Sequence, residues 1–188
     1  MRKYIAEYEK YIEITGFRNI KIDDAKALIK TAQKDNNHKA VIQFFNADLV
    51  ATWEHLYFAA LNALLAFDTQ RNISRNAAME MMLYASAQRQ IRKAIEFIGV
   101  KNGIANVAVA LIDSDGCLLD TAVSVIKKRF SKEPDDSVLE ISESKMKRIL
   151  NAFGISETEI QATIEKRSLE HVLVNLVIER MALLSTQL

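Results

Sequence analysis

The sequence predicts an α+β domain, a single mostly helical unit packed on a small β-sheet. Three observations predict it. Short β-rich apolar runs at 41–45, 107–112 and 137–141 alternate with longer stretches whose apolar residues recur at helical spacing. Five glycines and one proline in 188 residues leave little room for linkers or glycine-rich loops, which average usage of roughly 12% for the two would allow. At about 150 residues per domain, residues 1–188 make one domain.

Taken in order, Tyr4, Tyr8 and Tyr11 have helical spacing, while Ile12, Ile14 and Gly16 read as a short strand ending in a turn. Asp23 is placed to cap a helix carrying Ala25, Leu28, Ile29 and Ala32 on one face, which the polar residues 35–39 end. The run 41–45 reads as a buried strand. Asp48 or Thr52 can cap the next helix, with Leu56, Ala60, Ala63, Leu64 and Phe67. Two helices follow across 74–98, then a second buried strand at 107–112. A helix from Cys117 to about Phe130 and a third strand at 137–141 come next. The last three helices run over 144–153, 157–166 and 169–185, the first stopped by Gly154.

Composition narrows the function. Lysine plus arginine number 25 against 24 acidic residues, so this is no bulk polyelectrolyte. The lone Cys117 excludes an intrachain disulfide and a cysteine-rich zinc site. It is expected as a buried thiol in a reducing, cytoplasmic setting. No run approaches the roughly 18 apolar residues of a membrane span, and Glu7, Glu9, Lys10 and Glu13 break any signal-peptide core. His38, His55 and His171 show no ligand spacing, and Glu54-His55 and Glu170-His171 read as surface helix pairs. Asp113, Asp115 and Asp120 could cluster at a strand end, where aspartates ordinarily cap the following helix. No catalytic residue, cofactor or metal site is assigned.

The informative stretch is 72–103. Ser74 reads as an N-cap, with Ala77, Ala78, Met81, Met82 and Ala85 along one helical face. Ser86 reads as the cap of a second helix, whose Ala87, Ile91, Ala94, Ile95 and Ile98 fall within about 100° of arc. Its opposite face holds Arg89, Arg92, Lys93 and Glu96, and Gly99 stands at the C′ position. Between 69 and 103, six basic residues (Arg71, Arg75, Arg89, Arg92, Lys93, Lys101) face two acidic ones. The pattern allows a solvated face with an Arg92–Glu96 pair. It also allows a basic helix end that holds phosphates and splayed bases. The final helix has one stripe of Leu169, Val172, Leu173, Leu176 and Val177 and a second of Val174, Ile178 and Met181. The second stripe is expected to be partly exposed and covered by a partner.

Three segments carry a family resemblance. Leu83-Tyr84-Ala85-Ser86-Ala87-Gln88-Arg89-Gln90-Ile91 with the following Ala-Ile-x-x-Ile-Gly is the most specific. Phe45-Asn46-Ala47-Asp48-Leu49-Val50-Ala51 and Asp135-Asp136-Ser137-Val138-Leu139-Glu140-Ile141 fall in the right order around it. Together they resemble the CGI/TPRKB family, the kinase-binding subunits of the KEOPS (EKC) tRNA-modification complex, over roughly 16–184. The first dozen residues and the chain beyond 155 exceed the family's usual extent.

The resemblance implies an α+β adaptor that does no chemistry. Its implied partners are the small atypical kinase/ATPase of the complex, tRNA at its 3′ CCA end, and the other subunits indirectly; no membrane is involved. The complex it implies installs threonylcarbamoyl on the adenosine beside the anticodon, transfer falling to a separate metal-containing subunit. The RNA-binding candidates are Arg71, Arg75, Ser86, Gln88, Arg89, Gln90, Lys93 and Lys101; Val174, Ile178 and Met181 are the partner-binding candidates. Two other readings stay open. One is a small metabolic enzyme with a metal at Asp113, Asp115 and Asp120; the other is a homodimerising domain that uses the final helix.

Overall fold

The computed structural model describes residues 1–35, 40–164 and 168–186. Strands β1 (Arg2–Ile5), β2 (Lys10–Ile22), β3 (Val41–Asn46) and β4 (Gly103–Asp113) form one antiparallel sheet in the order β1-β2-β4-β3. The helices are α1 (Ala25–Asp35), α2 (Trp53–Asp68), α3 (Ala77–Ser86), α4 (Ile91–Ile98), α5 (Gly116–Phe130), α6 (Glu143–Phe153), α7 (Glu157–Ile164) and α8 (Leu169–Thr186). The α+β class is as the sequence predicts.

Strand β4 organises the packing. It pairs with β2 on one side and β3 on the other, and alternate side chains feed two different cores. Val107, Val109 and Leu111 join Phe17, Ile42 and Phe44 in a layer with Leu28 and Ala32 of α1 and Leu119, Ala122 and Ile126 of α5. Ala108, Ala110 and Ile112 join Ile12, Ile14 and Phe45 in the layer of α2 and α3. The β4 alanines meet a helix rich in alanine, with Ala59, Ala60, Ala63 and Ala66 of α2 in the same cluster. A third cluster ties α6, α7 and α8 together through Ile149, Phe153, Ile160, Val172, Leu173 and Val177. Each fully buried aliphatic or aromatic side chain contributes about 1.5–3 kcal/mol.

The structure corrects several expectations. The tyrosine-spaced start is a strand, because residues 2–5 pair with 10–13, and Tyr4 stacks on Tyr11 at 4.7 Å. Strand β2 does not end at Gly16. It continues to Ile22 through a register shift after Phe17, where Asn19 takes the left-handed conformation (φ 53°). Asp24 rather than Asp23 caps α1, accepting from the Lys26 and Ala27 amides. The run 137–141 forms no strand. Residues Asp136–Leu139 make a 3-10 turn, nucleated by the Asp135 carboxylate accepting from the Ser137 amide. This turn lies along β2 beyond the last β1 pairing. The Asp135 amide donates to the Gly16 carbonyl (2.8 Å), and the Asp136 carboxylate accepts from the Gly16 amide and the Thr15 hydroxyl (both 2.9 Å).

Cys117 is exposed, not buried, because it sits in the first turn of α5, two residues short of the first buried position, Leu119. His38 lies outside the described residues; His171 is exposed, as expected. His55 is not a surface residue: it is fully buried between the start of α2 and the end of α3. Its Nδ1 accepts from the Ala51 amide (3.2 Å), and its Nε2 donates to the Ala85 carbonyl (2.8 Å). The exposed stripe expected on α8 is also absent. Val174 and Met181 are buried in two different clusters, and half-buried Ile178 packs against both. The helix is apolar on several faces because it bridges two cores.

Two outcomes follow from this packing. A Cβ at Gly16 would lie 2.3 Å from Val138 Cγ2 and 2.9 Å from the Asp135 carbonyl oxygen, so Gly16→Ala should cost about 1–3 kcal/mol in urea denaturation. Burial, opposed by the Ala85 carbonyl and aided by Lys145, lowers the His55 pKa from 6.5 to about 4. As pH falls, the unfolded chain takes up the His55 proton first. The stabilisation is therefore complete above pH 6.5 and lost progressively down to about 4, about 3 kcal/mol in all. Histidine NMR should show one imidazole titrating near 4, with the urea midpoint falling across that window; a His55 that titrates near 6.5 contradicts this account.

Candidate nucleic-acid interface

The stretch 69–103 forms two short helices and the loops that hold them. Helix α2 closes with Gln70 in the left-handed conformation (φ 57°) and the Arg71 amide donating to the Ala66 carbonyl (2.8 Å). The loop then folds onto Glu80, a fully buried carboxylate on α3 that accepts from the amides of Ile73 (3.1 Å) and Ser74 (2.6 Å). Asn76, not Ser74, is the N-cap of α3, its side chain accepting from the Ala78 and Met79 amides. Ser74 instead receives the Asn76 amide on its hydroxyl (3.2 Å).

The most distinctive motif, 83–91, is the joint between α3 and α4. Ala87 adopts φ 51°, and the Gln88 amide donates to the Leu83 carbonyl (3.0 Å), closing α3. Ser86 does not cap α4. It is the last residue of α3, 1% exposed, with its hydroxyl donating to the Leu83 carbonyl. Gln90 precedes α4 without a side-chain cap, so the first N–H groups of α4 are left for other acceptors. The expected stripe on α4 divides. Ala94 and Ile98 are fully buried, whereas Ile91 and Ile95 are each 42% exposed. Gly99 is extended (φ −67°, ψ 152°) rather than left-handed. It is glycine because a Cβ would meet the Ile95 carbonyl oxygen at 2.5 Å while the backbone bridges to Phe45 on the outer edge of β3.

Ile91 and Ile95 form one wall of a groove of about 430 Å³. The opposite wall is α1, through Lys26, Ile29 and Gln33; Met79 and Met82 of α3 and Gln43 of β3 lie between. Gln43 is buried and keeps α3 on the sheet by donating to the Ala78 carbonyl (3.0 Å). The Asn102 side chain accepts from the Ala25 amide (3.0 Å), tying the start of α1 to the segment between α4 and β4 that carries Lys101. Ser74 and Asn76 line the groove, and Arg75 between them lines an adjoining pocket with Gln33.

The sequence candidates are thus only partly gathered. Arg75 stands at the groove, Gln90 directly precedes its wall, and exposed Lys101 lies beside the α1 tie. Lys93 is exposed but stands about 200° round α4 from Ile91, away from the groove. Arg71 is exposed at the far end of the loop, Arg89 is exposed in the α3–α4 joint, and Gln88 is half-buried there. Arg92 pairs with Glu96 (2.9 Å) as the solvated-face reading expects. Ser86 is buried and offers nothing to a surface ligand. Lys26, Ile29 and Gln33 were missed, although the Lys26, Lys30, Lys34 spacing on α1 was there to be noticed.

The acidic residues thought of as a metal cluster have local partners. Asp113 accepts from the Asp115 amide (2.9 Å), Asp115 caps α5 through the Cys117 amide (2.8 Å), and Asp120 pairs with Arg2 (2.6 Å). Among the described residues no group of three or more His, Cys, Asp or Glu side chains could hold a metal ion, and no helix is long and apolar enough to cross a membrane. An unexpected apolar surface lies on α2. Its buried side is Leu56, Ala59, Ala60, Ala63 and Ala66, yet its outer side carries half-buried Tyr57 and Leu61 with exposed Phe58 and Leu65.

Because Glu80 alone receives the Ile73 and Ser74 amides, Glu80→Ala should destabilise the chain by about 2–4 kcal/mol. Glu80→Gln, which keeps an acceptor, should cost less. Amide exchange at Ile73 and Ser74 should accelerate first, and unchanged protection there would disprove the anchoring role.

Comparison with known proteins identifies the family. The family described as "Kinase binding protein CGI-121" matches residues 17–185. The chain is 38% identical over 113 residues to "Regulatory protein Cgi121" of Methanocaldococcus jannaschii, an alignment that covers 60% of this chain and 70% of that relative. With most of its length matched in this way, the chain belongs to the CGI-121 family.

Proposed function

We propose that the protein is a non-catalytic adaptor of the KEOPS complex for threonylcarbamoyladenosine tRNA modification, with one surface for the small kinase/ATPase subunit and another for the 3′ CCA end of tRNA. The observation that carries the RNA reading is the α1/α3/α4 groove. Its walls are the exposed aliphatic faces of Ile91 and Ile95 and the thioether of Met79, suited to unstacked bases. Its rim bears Lys26, Arg75 and the uncapped start of α4, suited to phosphates. A groove of this chemistry needs a local basic rim and no catalytic group. The enzyme alternative loses its basis, since Asp113, Asp115 and Asp120 serve as caps and ion-pair partners.

The kinase reading draws on the family description, and the surface we assign to it is α2 rather than α8. Buried Val174 and Met181 cannot be a free stripe, which also removes the basis for dimerisation through the final helix. On α2, exposed Phe58 and Leu65 share about 100° of arc with half-buried Tyr57 and Leu61, which also pack against the core. An apolar outer face of this size is suited to burial against another protein.

Both surfaces are open to direct measurement. Intact tRNA should bind more tightly than tRNA trimmed of its CCA. With about three phosphates held, affinity should fall roughly twenty-fold between 50 and 200 mM salt. Arg75→Glu should weaken binding without lowering Tm, and equal affinity for intact and trimmed tRNA would overturn the end-binding reading. For the kinase, a Phe58→Glu and Leu65→Glu double variant should lose at least about tenfold in affinity, since each buried apolar side chain is worth about 1.5–3 kcal/mol. Its Tm should hold. A collapsed Tm with affinity retained would place the kinase surface elsewhere.

A further inference from the structure

Strand β1 divides its four side chains between the two layers of the sheet by simple alternation. On one side Arg2 pairs with Glu13 and with Asp120 of α5, and Tyr4 stacks on Tyr11. On the other side Ile5 packs against the cluster that holds the core side of α2. Lys3 follows it there, with its ammonium 5.7 Å over the centre of the Trp53 ring at the start of α2.

This placement sets Lys3 apart from the other exposed cations. Among the described residues it is the one cation held over an aromatic ring, and no carboxylate pairs with it. The acidic residue in the first turn of α2, Glu54, has its carboxylate on the Thr52 hydroxyl. Residues 1–16 also lie ahead of the 17–185 that the CGI-121 pattern covers, so Lys3 belongs to a part of the chain the family pattern does not describe.

From Lys3 the aromatic contacts run on along α2, with ring centres 5.8 Å apart from Trp53 to Tyr57 and 5.6 Å from Tyr57 to Phe58. Trp53, Tyr57, Leu61 and Leu65 recur every four residues, a row that is half-buried at its first three positions and exposed at Leu65. The cation thus stands at the β1 end of an apolar row, the arrangement of apolar centre and polar rim that protein interfaces have. A partner that covers the row strips water from Lys3 as well. An ammonium desolvated without a counter-charge is costly. A partner carboxylate that meets it beside the Trp53 ring gains more there than the same pair does in water.

We infer that the kinase-binding surface extends from α2 onto β1, and that Lys3, held over Trp53, is a specificity-determining cation that receives a carboxylate of the kinase at the border of the apolar row. This rests on the α2 reading of the kinase surface. The matching face of the kinase is then an apolar patch with an acidic side chain at one margin. A protein with lysine or arginine at that margin is rejected by like charge.

The test uses the full chain, with the purified kinase subunit and tRNA as separate probes. At low salt Lys3→Glu should bind the kinase at least about tenfold more weakly, and Lys3→Gln should lose by a smaller factor. Lys3→Arg, which keeps both the charge and the ring contact, should bind as wild type. The Lys3→Glu deficit should shrink in about 1 M salt, where charges are screened. Tm and tRNA affinity should hold in all three. If Lys3→Glu binds the kinase like wild type while the Phe58→Glu and Leu65→Glu variant does not, the surface stops at α2; the inference is overturned and the α2 reading stands. If neither loses affinity, both fall. A Lys3→Arg loss equal to that of Lys3→Glu, or a deficit indifferent to salt, marks a packing effect and overturns the carboxylate. Loss of tRNA affinity with kinase affinity intact assigns the corner to RNA and overturns the inference as well.

Discussion

Double burial of β4 is the constraint on which the rest of the molecule depends. Where it is paired on both edges and covered on both faces, over 107–112, the strand must be apolar on every residue, and each face must be matched by its own helical layer. One face is bulky (Val107, Val109, Leu111) and receives the smaller contributions of α1 and α5. The other is slim at Ala108 and Ala110, and the alanine-rich side of α2 packs in the same layer. Because α2 turns four alanines to the core, Phe58 and Leu65 are left on its outer side. The apolar face that sequence patterning assigned to α8 therefore appears on α2.

The groove depends on the same arrangement at one remove. Helix α3 is tethered to β3 by Gln43, its preceding loop by Glu80, and its far end to α2 by His55. These are buried polar groups with their hydrogen bonds made; among the described residues no buried side-chain nitrogen or oxygen lacks a partner. Such groups fix direction where apolar packing alone would not. The walls of the groove can leave Ile91 and Ile95 half in solvent because the positions of α3 and α4 do not rely on burying them.

Legibility in the sequence followed burial. Strands β3 and β4 were visible because double-faced burial writes a continuous apolar run. Strand β2 was cut short because Arg18 and Asn19 break its alternation at the register shift. Strand β1 was invisible because an edge strand of Arg, Lys and Tyr carries no such pattern. The 137–141 run has the composition of a strand, but an aspartate just before it turns the chain with its own side chain, and local hydrogen bonding prevails over β-propensity. His55 defeated a local reading, since a histidine beside a glutamate gives no sign that a carbonyl 30 residues away will meet it. Half of the groove was legible, the half made by 72–103. The α1 half arrives through a tie from Asn102 to Ala25, a contact 77 residues apart that periodicity cannot report.

The 135–139 turn carries a consequence for how the protein lives among other chains. An open strand edge invites foreign strands, and unprotected edges are where sheets aggregate. Here the long edge of β2 is shared between a four-residue strand bearing Arg2 and Lys3 and a turn that takes up both the amide and the carbonyl of Gly16. On the opposite margin the backbone of Gly99 closes on Phe45 of β3. With its margins shortened, charged or occupied, the sheet offers little template for cross-β growth. The chain can thus keep apolar side chains on the outside of α2 while discouraging the strand-to-strand association that an exposed sheet would add.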